Sequence, residues 1–108
     1  MEWTKMIRAL NNYDRKTNLT TYWGNGAIIN GIVDTISETC TCELEEDDPN
    51  YIEYYMCVFE ITQVLSPPSK NICNPYLGEL KVGSLIEVSE LNEPIKIEAE
   101  GKGIIWQK

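Results

Sequence analysis

The sequence predicts a mainly β protein: a small antiparallel curled sheet or barrel of five to six strands, with one N-terminal α-helix. Three observations carry this. Residues 27–65 form two long β-branched and aromatic segments joined by the acidic turn Glu45-Glu46-Asp47-Asp48-Pro49-Asn50. Short alternating segments separated by Gly, Asn and Pro follow from Leu85 onward, the pattern of strands joined by turns. Near the N-terminus Trp3, Met6, Ile7 and Leu10, with Lys5, Arg8 and Asn11 between them, fall at the i, i+3, i+4, i+7 spacing of an amphipathic helix. That stripe predicts a helix from about Glu2 to Tyr13.

The polar run Asp14-Arg15-Lys16-Thr17-Asn18 ends the helix, and Leu19-Thr20-Thr21-Tyr22-Trp23 has the composition of a strand. Gly24-Asn25-Gly26 then predicts a tight hairpin, because Asn and Gly tolerate positive φ. In the strand that begins near Ala27, Ile29 and Val33 share one face, while Ile32, Ile36, Cys40 and Cys42 share the other. Gly31 stands at the changeover and predicts a bulge or sharp bend there. Length demands curvature as well. About fifteen residues at ~3.3 Å each span roughly 50 Å, against a diameter of ~34 Å for a chain of 108 residues. The strand therefore coils, or its tip projects.

Beyond the acidic turn, Tyr55, Cys57, Phe59 and Ile61 fall on one face as candidate core, with Tyr54, Met56, Val58, Glu60 and Thr62 opposite. A turn centred between Asp48 and Pro49 sets Ile36 against Ile61 and Cys40 against Cys57, making those two sulfurs neighbours. Ser66-Pro67-Pro68-Ser69-Lys70-Asn71 breaks the sheet, and a connecting loop runs on through Cys73, Pro75 and Gly78. Leu85–Ser89, Ile95–Ala99 and Ile104–Trp106 read as three short strands in a meander, turned at Asn92-Glu93-Pro94 and Gly101-Lys102-Gly103. No repeat or linker divides residues 1–108, which read as a single domain.

The succession Gly31-Ile32-Val33-Asp34-Thr35-Ile36, an acidic loop, Tyr55 to Leu65, and Lys81-Val82-Gly83-Ser84-Leu85-Ile86-Glu87-Val88 resembles the strand order of small bacterial OB-like β-barrel domains across residues 27–90. The resemblance implies a small barrel. It departs from the OB pattern in lacking a helix between the third and fourth strands, and such folds host many activities, so it implies no function.

Seventeen acidic against nine basic residues give a formal charge of −8, which repels phosphate backbones and favours a cationic partner. Nucleic-acid binding is a poor fit. The chain has no histidine, which removes imidazole acid–base catalysis, Ser-His and Cys-His pairs and imidazole zinc sites. The start carries an early acid and no apolar run of secretory type, so the expected location is the cytoplasm. Free thiols are then the default for Cys40, Cys42, Cys57 and Cys73.

Three sets of residues are candidates for chemistry. Cys40, Cys42 and Cys57 are the nearest approach to a soft-metal or redox site, yet their spacing lacks the two-residue zinc knuckle, and buried small hydrophobes are the commoner role. No cofactor is expected. Glycine pairs at Gly24/Gly26 and Gly101/Gly103 do not open helices and read as turns. The third set is the carboxylate cluster Glu43, Glu45, Glu46, Asp47, Asp48 and Glu53 with Tyr51, Tyr54 and Tyr55 beside it. Like charges so close repel one another, so folding alone does not select them, although a solvated hairpin end is the plainer explanation. As a calcium loop the run lacks the alternating ligands and central glycine.

The leading expectation is a non-catalytic interaction protein of bacterial type, in the manner of an immunity protein or inhibitor, that binds a basic partner protein through Glu43, Glu45, Glu46, Asp47, Asp48, Tyr51, Glu53 and Tyr54. A barrel holding a small ligand or oligomer is the alternative, and a thiol-dependent enzyme a distant third. Neither nucleic acid nor membrane is an expected partner.

Overall fold

The computed structural model describes residues 3–24, 26–41, 43–68 and 80–108. Its elements are α1 (Lys5–Asn11), β1 (Leu19–Tyr22), β2 (Ile28–Cys40), β3 (Glu53–Ser66), β4 (Leu85–Ser89), β5 (Lys96–Ala99) and β6 (Gly103–Gln107). The six strands form one antiparallel sheet in the order β4-β3-β2-β1-β5-β6. The sheet is curled and does not close, so β4 and β6 remain its edges.

Helix α1 is shorter than the apolar stripe predicts because its ends are set by polar caps. Thr4 takes the N-cap position, its hydroxyl accepting a hydrogen bond from the Ile7 amide at 3.2 Å, and Asn12 ends the helix. Glu2, the expected first residue, lies outside the described residues. The stripe itself faces inward: Met6, Ile7 and Leu10 are buried against the concave face of the sheet. That face supplies Leu19, Ile29, Val33, Cys57, Phe59, Ile61, Ile86, Val88, Ile97 and Ala99. Thr21 is a buried polar residue of the sheet, and it is satisfied: its hydroxyl donates to the Ile29 carbonyl at 3.0 Å and accepts from Trp23 Nε1 at 2.8 Å.

Curvature is demanded by connectivity. The end of β4 lies level with Ser37 of β2, and the start of β5 lies level with Ile28. On a flat sheet these points are separated by roughly 35 Å, from ~3.3 Å per residue along the strands and ~4.8 Å between them. The segment from Ser89 to Lys96 spans at most about 24 Å. Only a curled sheet lets it cross.

This crossing corrects the expected meander. β4 pairs with β3, whereas β5 pairs with β1 on the far side of the sheet. After β4 the chain closes a small loop on itself, with Ser89 and Asn92 exchanging backbone bonds of 3.2 and 3.1 Å and Asn92 Nδ2 donating to the Glu87 carbonyl at 2.6 Å. It then passes the buried Pro94, and the Ile95 amide donates to the Tyr22 carbonyl at 2.7 Å. Alternation marks β4 and β5 as strands but carries no information about which edge each one joins.

The change of phase in β2 occurs at Asp34, not at Gly31. Ile29, Gly31 and Val33 all face the core, and Asp34 is the extra residue of a bulge between Val33 and Thr35, after which Ile36 takes over the inward face. Gly31 is required for a different reason. A β-carbon there would sit 2.4 Å from the Phe59 ring and 2.3 Å from the Glu60 carbonyl oxygen, so the ring lies directly on the β2 backbone. A register shift between Asn30 and Gly31 accompanies this approach.

The β2–β3 register also differs from expectation. Ile36 faces Cys57 and Cys40 faces Glu53, which places Cys40 and Cys57 four residues apart along the ladder, about 13 Å, so they are not neighbours. Neither takes part in a disulfide. The reason lies in the tip: Tyr51 N donates to the Asp48 carbonyl at 2.9 Å across Pro49-Asn50, the expected proline turn, but turns at Thr41–Leu44 and Glu45–Asp48 precede it. The proline turn is thus one of three in a long loop and not the pivot of the hairpin. The connecting loop expected beyond Ser66 lies outside the described residues from residue 69 to 79.

Gly31→Ala forces the Phe59 ring and the β3 backbone to move together, and we expect a loss of about 2–4 kcal/mol in urea unfolding. Gly26→Ala has open space around the added carbon and costs less, through its φ of 91° alone.

Candidate functional site

The basic residues leave a gap in the chain that sets the electrostatics of the molecule. No Lys or Arg occurs between Lys16 and Lys70, while Asp34, Glu38, Glu43, Glu45, Glu46, Asp47, Asp48, Glu53 and Glu60 all fall within that gap. The remaining eight acids are matched by nine bases. The entire net charge therefore resides on β2, β3 and their connecting tip.

The topology turns this segregation into a projection. β2 is thirteen residues long, about 40 Å at 3.3 Å per residue, against a longest molecular extent of 43 Å. β1 accompanies β2 only through Gly31, and β4 accompanies β3 only as far as Met56. Past Ser37 and Met56 the ribbon consists of two strands and its acidic loop.

Glu43, Glu45, Glu46, Asp47 and Glu53 are exposed on this tip, and Asp48 is half-buried. Asp48 serves the loop itself, because its Oδ1 accepts the Asn50 amide at 2.8 Å and so fixes the turn around Pro49. The loop is closed at its base by Thr41, whose amide donates to the Ile52 carbonyl and whose hydroxyl accepts the Ile52 amide, both at 3.0 Å. The tip is thus a built loop, held by its own backbone. Among the described residues no ion pair reaches any of its six carboxylates. Compensation stops at the base of the ribbon, where Arg15 pairs with Asp34 and, at 2.9 Å, with Glu60.

The tyrosines divide into three environments. Tyr51 is half-buried on the tip; its hydroxyl is pushed up to about 12, first by the hydrogen bond to the Cys40 sulfur and then by desolvation and by the charges of Cys40, Glu53 and Glu46. It is a neutral hydroxyl at physiological pH. Tyr54 is buried at 6 % exposure and offers little area to a partner. Tyr55 packs its ring against Trp3, tilted by 45° with centroids 5.0 Å apart, and donates to Glu38 Oε1 at 3.1 Å, so it anchors the ribbon to the N-terminal segment.

The thiols do not assemble. No group of three or more Cys, Asp or Glu among the described residues is placed to hold a metal ion; Cys42 and Cys73 lie outside those residues. Burial pushes the Cys57 thiol up to about 12, so it stays protonated and is a poor nucleophile. Asp34 and Glu38 are further carboxylates of the ribbon that the acidic run alone does not reveal, although the gap in Lys and Arg marks the whole ribbon as acidic.

Fold and site together define a small curled-sheet protein that presents an anionic β-ribbon. The chain belongs to the cognate immunity protein YxxD family, whose model matches residues 1–108. No curated protein and no solved structure matches it. Read as a tetrapeptide, Tyr-any-any-Asp does not occur in this chain: Asn11, Gly31, Leu44 and Glu45 stand three residues before its four aspartates. Membership in an immunity family fits a non-catalytic role in binding another protein.

Burial of Cys57 gives stability a pH dependence. The folded thiol holds its proton up to about 12 while the unfolded thiol releases it near 9.0. The contribution is complete below pH 9 and is lost as pH rises from 9 toward 12, by at most ~1.4 kcal/mol per unit. Thermal melts of Cys57→Val between pH 7 and 11 are expected to fall less steeply than those of the wild type.

Proposed function

We propose that this chain neutralises a cognate toxin by seating its acidic β2–β3 tip on a basic surface of that toxin. The observation that supports the reading is the tip itself: five exposed carboxylates at the end of a two-stranded projection, with no ion pair to any of them among the described residues. Clustering these charges costs folding energy, and a cationic partner recovers it. Such a surface raises the association rate through long-range attraction and suppresses contacts with other acidic proteins. Tyr51 at the margin of the patch adds an amphipathic ring of the kind that anchors interfaces.

The mode of action is occlusion. A toxin that acts on an anionic substrate carries a basic cleft, and an acidic ribbon wide enough to fill it competes for the same field. The chain then needs no chemistry of its own.

Replacing Glu43, Glu45 and Glu46 by Gln and Asp47 by Asn removes four charges and leaves the Asp48 turn intact. Isothermal titration against the toxin encoded by the neighbouring reading frame is expected to show at least a tenfold loss of affinity at low salt. The remaining binding is expected to depend less steeply on ionic strength. Wild-type affinity for the variant at every salt concentration overturns the reading.

A further inference from the structure

The free edge of β2 carries an inference about how the partner is held, and it rests on the proposed immunity role. Beyond Gly31 no described strand lies on the β1 side of β2. The direction of each backbone group there follows from the ladder. Thr41 N donates to the Ile52 carbonyl across β2–β3, and in antiparallel pairing alternate residues point to alternate sides. Thr39, Ser37 and Thr35, paired with Tyr54, Met56 and Val58, therefore direct their amides and carbonyls to β3. Ile36 and Glu38 direct theirs outward, and among the described residues no backbone group meets them there.

Among the described residues this edge has no lysine, proline or covering strand. Exposed edges are blunted by lysine, proline, bulges or covering segments. β6, the edge strand on the other side, is flanked by Lys102 and Lys108. Thr35-Ile36-Ser37-Glu38-Thr39 contains neither lysine nor proline and is rich in β-branched residues. The bulge at Asp34 and the Arg15 pairs close off the edge toward β1 and leave this stretch open. Charge selects the occupant: the ribbon has nine carboxylates and no cation of its own, so a strand approaching it gains by carrying Lys or Arg. Adding a strand to an exposed edge supplies affinity through main-chain bonds and specificity through alternate side chains.

We infer that the outward edge of β2 at Ile36 and Glu38 accepts an extended, Lys- or Arg-bearing segment of the cognate toxin as an additional strand of the sheet. The acidic tip attracts and orients the toxin; the edge holds it.

Backbone amide exchange on the wild-type chain, free and saturated with the purified product of the adjacent reading frame, tests this. The Ile36 and Glu38 amides are expected to exchange freely in the absence of toxin and at least tenfold more slowly in the complex. A complex in which they exchange as in the free chain overturns the edge inference and leaves the charge-based reading standing. Slow exchange of both amides without toxin also overturns it, since the edge is then already covered. Absence of any complex overturns both readings. As a second arm, Glu38→Pro removes the outward amide without touching a β3 ladder bond and is expected to weaken binding roughly tenfold. Glu38→Gln, which retains the amide, is expected to stay within about threefold of the wild type. Equal affinities of the two variants overturn the inference.

Discussion

The contact between the Phe59 ring and the backbone of Gly31 is the constraint on which the rest of the molecule depends. It brings the inner face of β3 closer to β2 than any side chain on Gly31 would permit, at a point where the ladder also slips by a residue. Bulges and close approaches raise local twist and bend a strand. Bending here turns a two-stranded ribbon into the wall of a curled sheet. The concavity receives Met6, Ile7 and Leu10 from α1, and the curl shortens the path that the 90–95 connection takes from the edge strand β4 to β5 beside β1.

The same ribbon separates structure from display. Its inner half, near Ile29, Val33, Phe59 and Ile61, is packed core; its outer half, past Ser37 and Met56, has no neighbouring strand among the described residues. Arg15 marks the frontier by holding Asp34 and Glu60. On the core side Asp34 and Glu60 are paired, and on the tip side no ion pair reaches a carboxylate among the described residues. With a Debye length of ~8 Å at physiological ionic strength, repulsion among the tip charges stays local and leaves the core undisturbed, while the tip itself remains a concentrated anionic surface. A stable scaffold and an electrostatically unsatisfied end thereby coexist in one hairpin.

Several features were legible in the residues alone because they rest on local periodicity. The stripe from Trp3 to Leu10 gives the inward face of α1, the alternation Tyr55, Cys57, Phe59, Ile61 gives the inward face of β3, and Gly26, Gly101 and Gly103 take the positive φ that their turns require. The acidic tip was equally plain as a run of letters. What periodicity did not reach was pairing over distance. Pro49 makes a turn as its surroundings dictate, yet two further turns shift the β2–β3 register and part Cys40 from Cys57. Asp34 reads as an ordinary polar strand residue, and only its opposition to Phe59 and Val58 makes it the bulge. Tyr54 alternates as an outward residue and is nonetheless buried.

The sequence by itself determined the strand-rich character of the chain, the N-terminal helix, the inward stripe of β3 from Tyr55 to Ile61 and the concentration of every surplus negative charge between Lys16 and Lys70. These follow from short-range chemistry: backbone preference, side-chain period and the identity of ionisable groups. Tertiary structure decided which edges the last strands join, where the phase of β2 changes, which carboxylates Arg15 neutralises and which backbone groups face outward. Those outcomes depend on which segments meet after the sheet has curled, a competition among contacts distant along the chain that no window of residues contains.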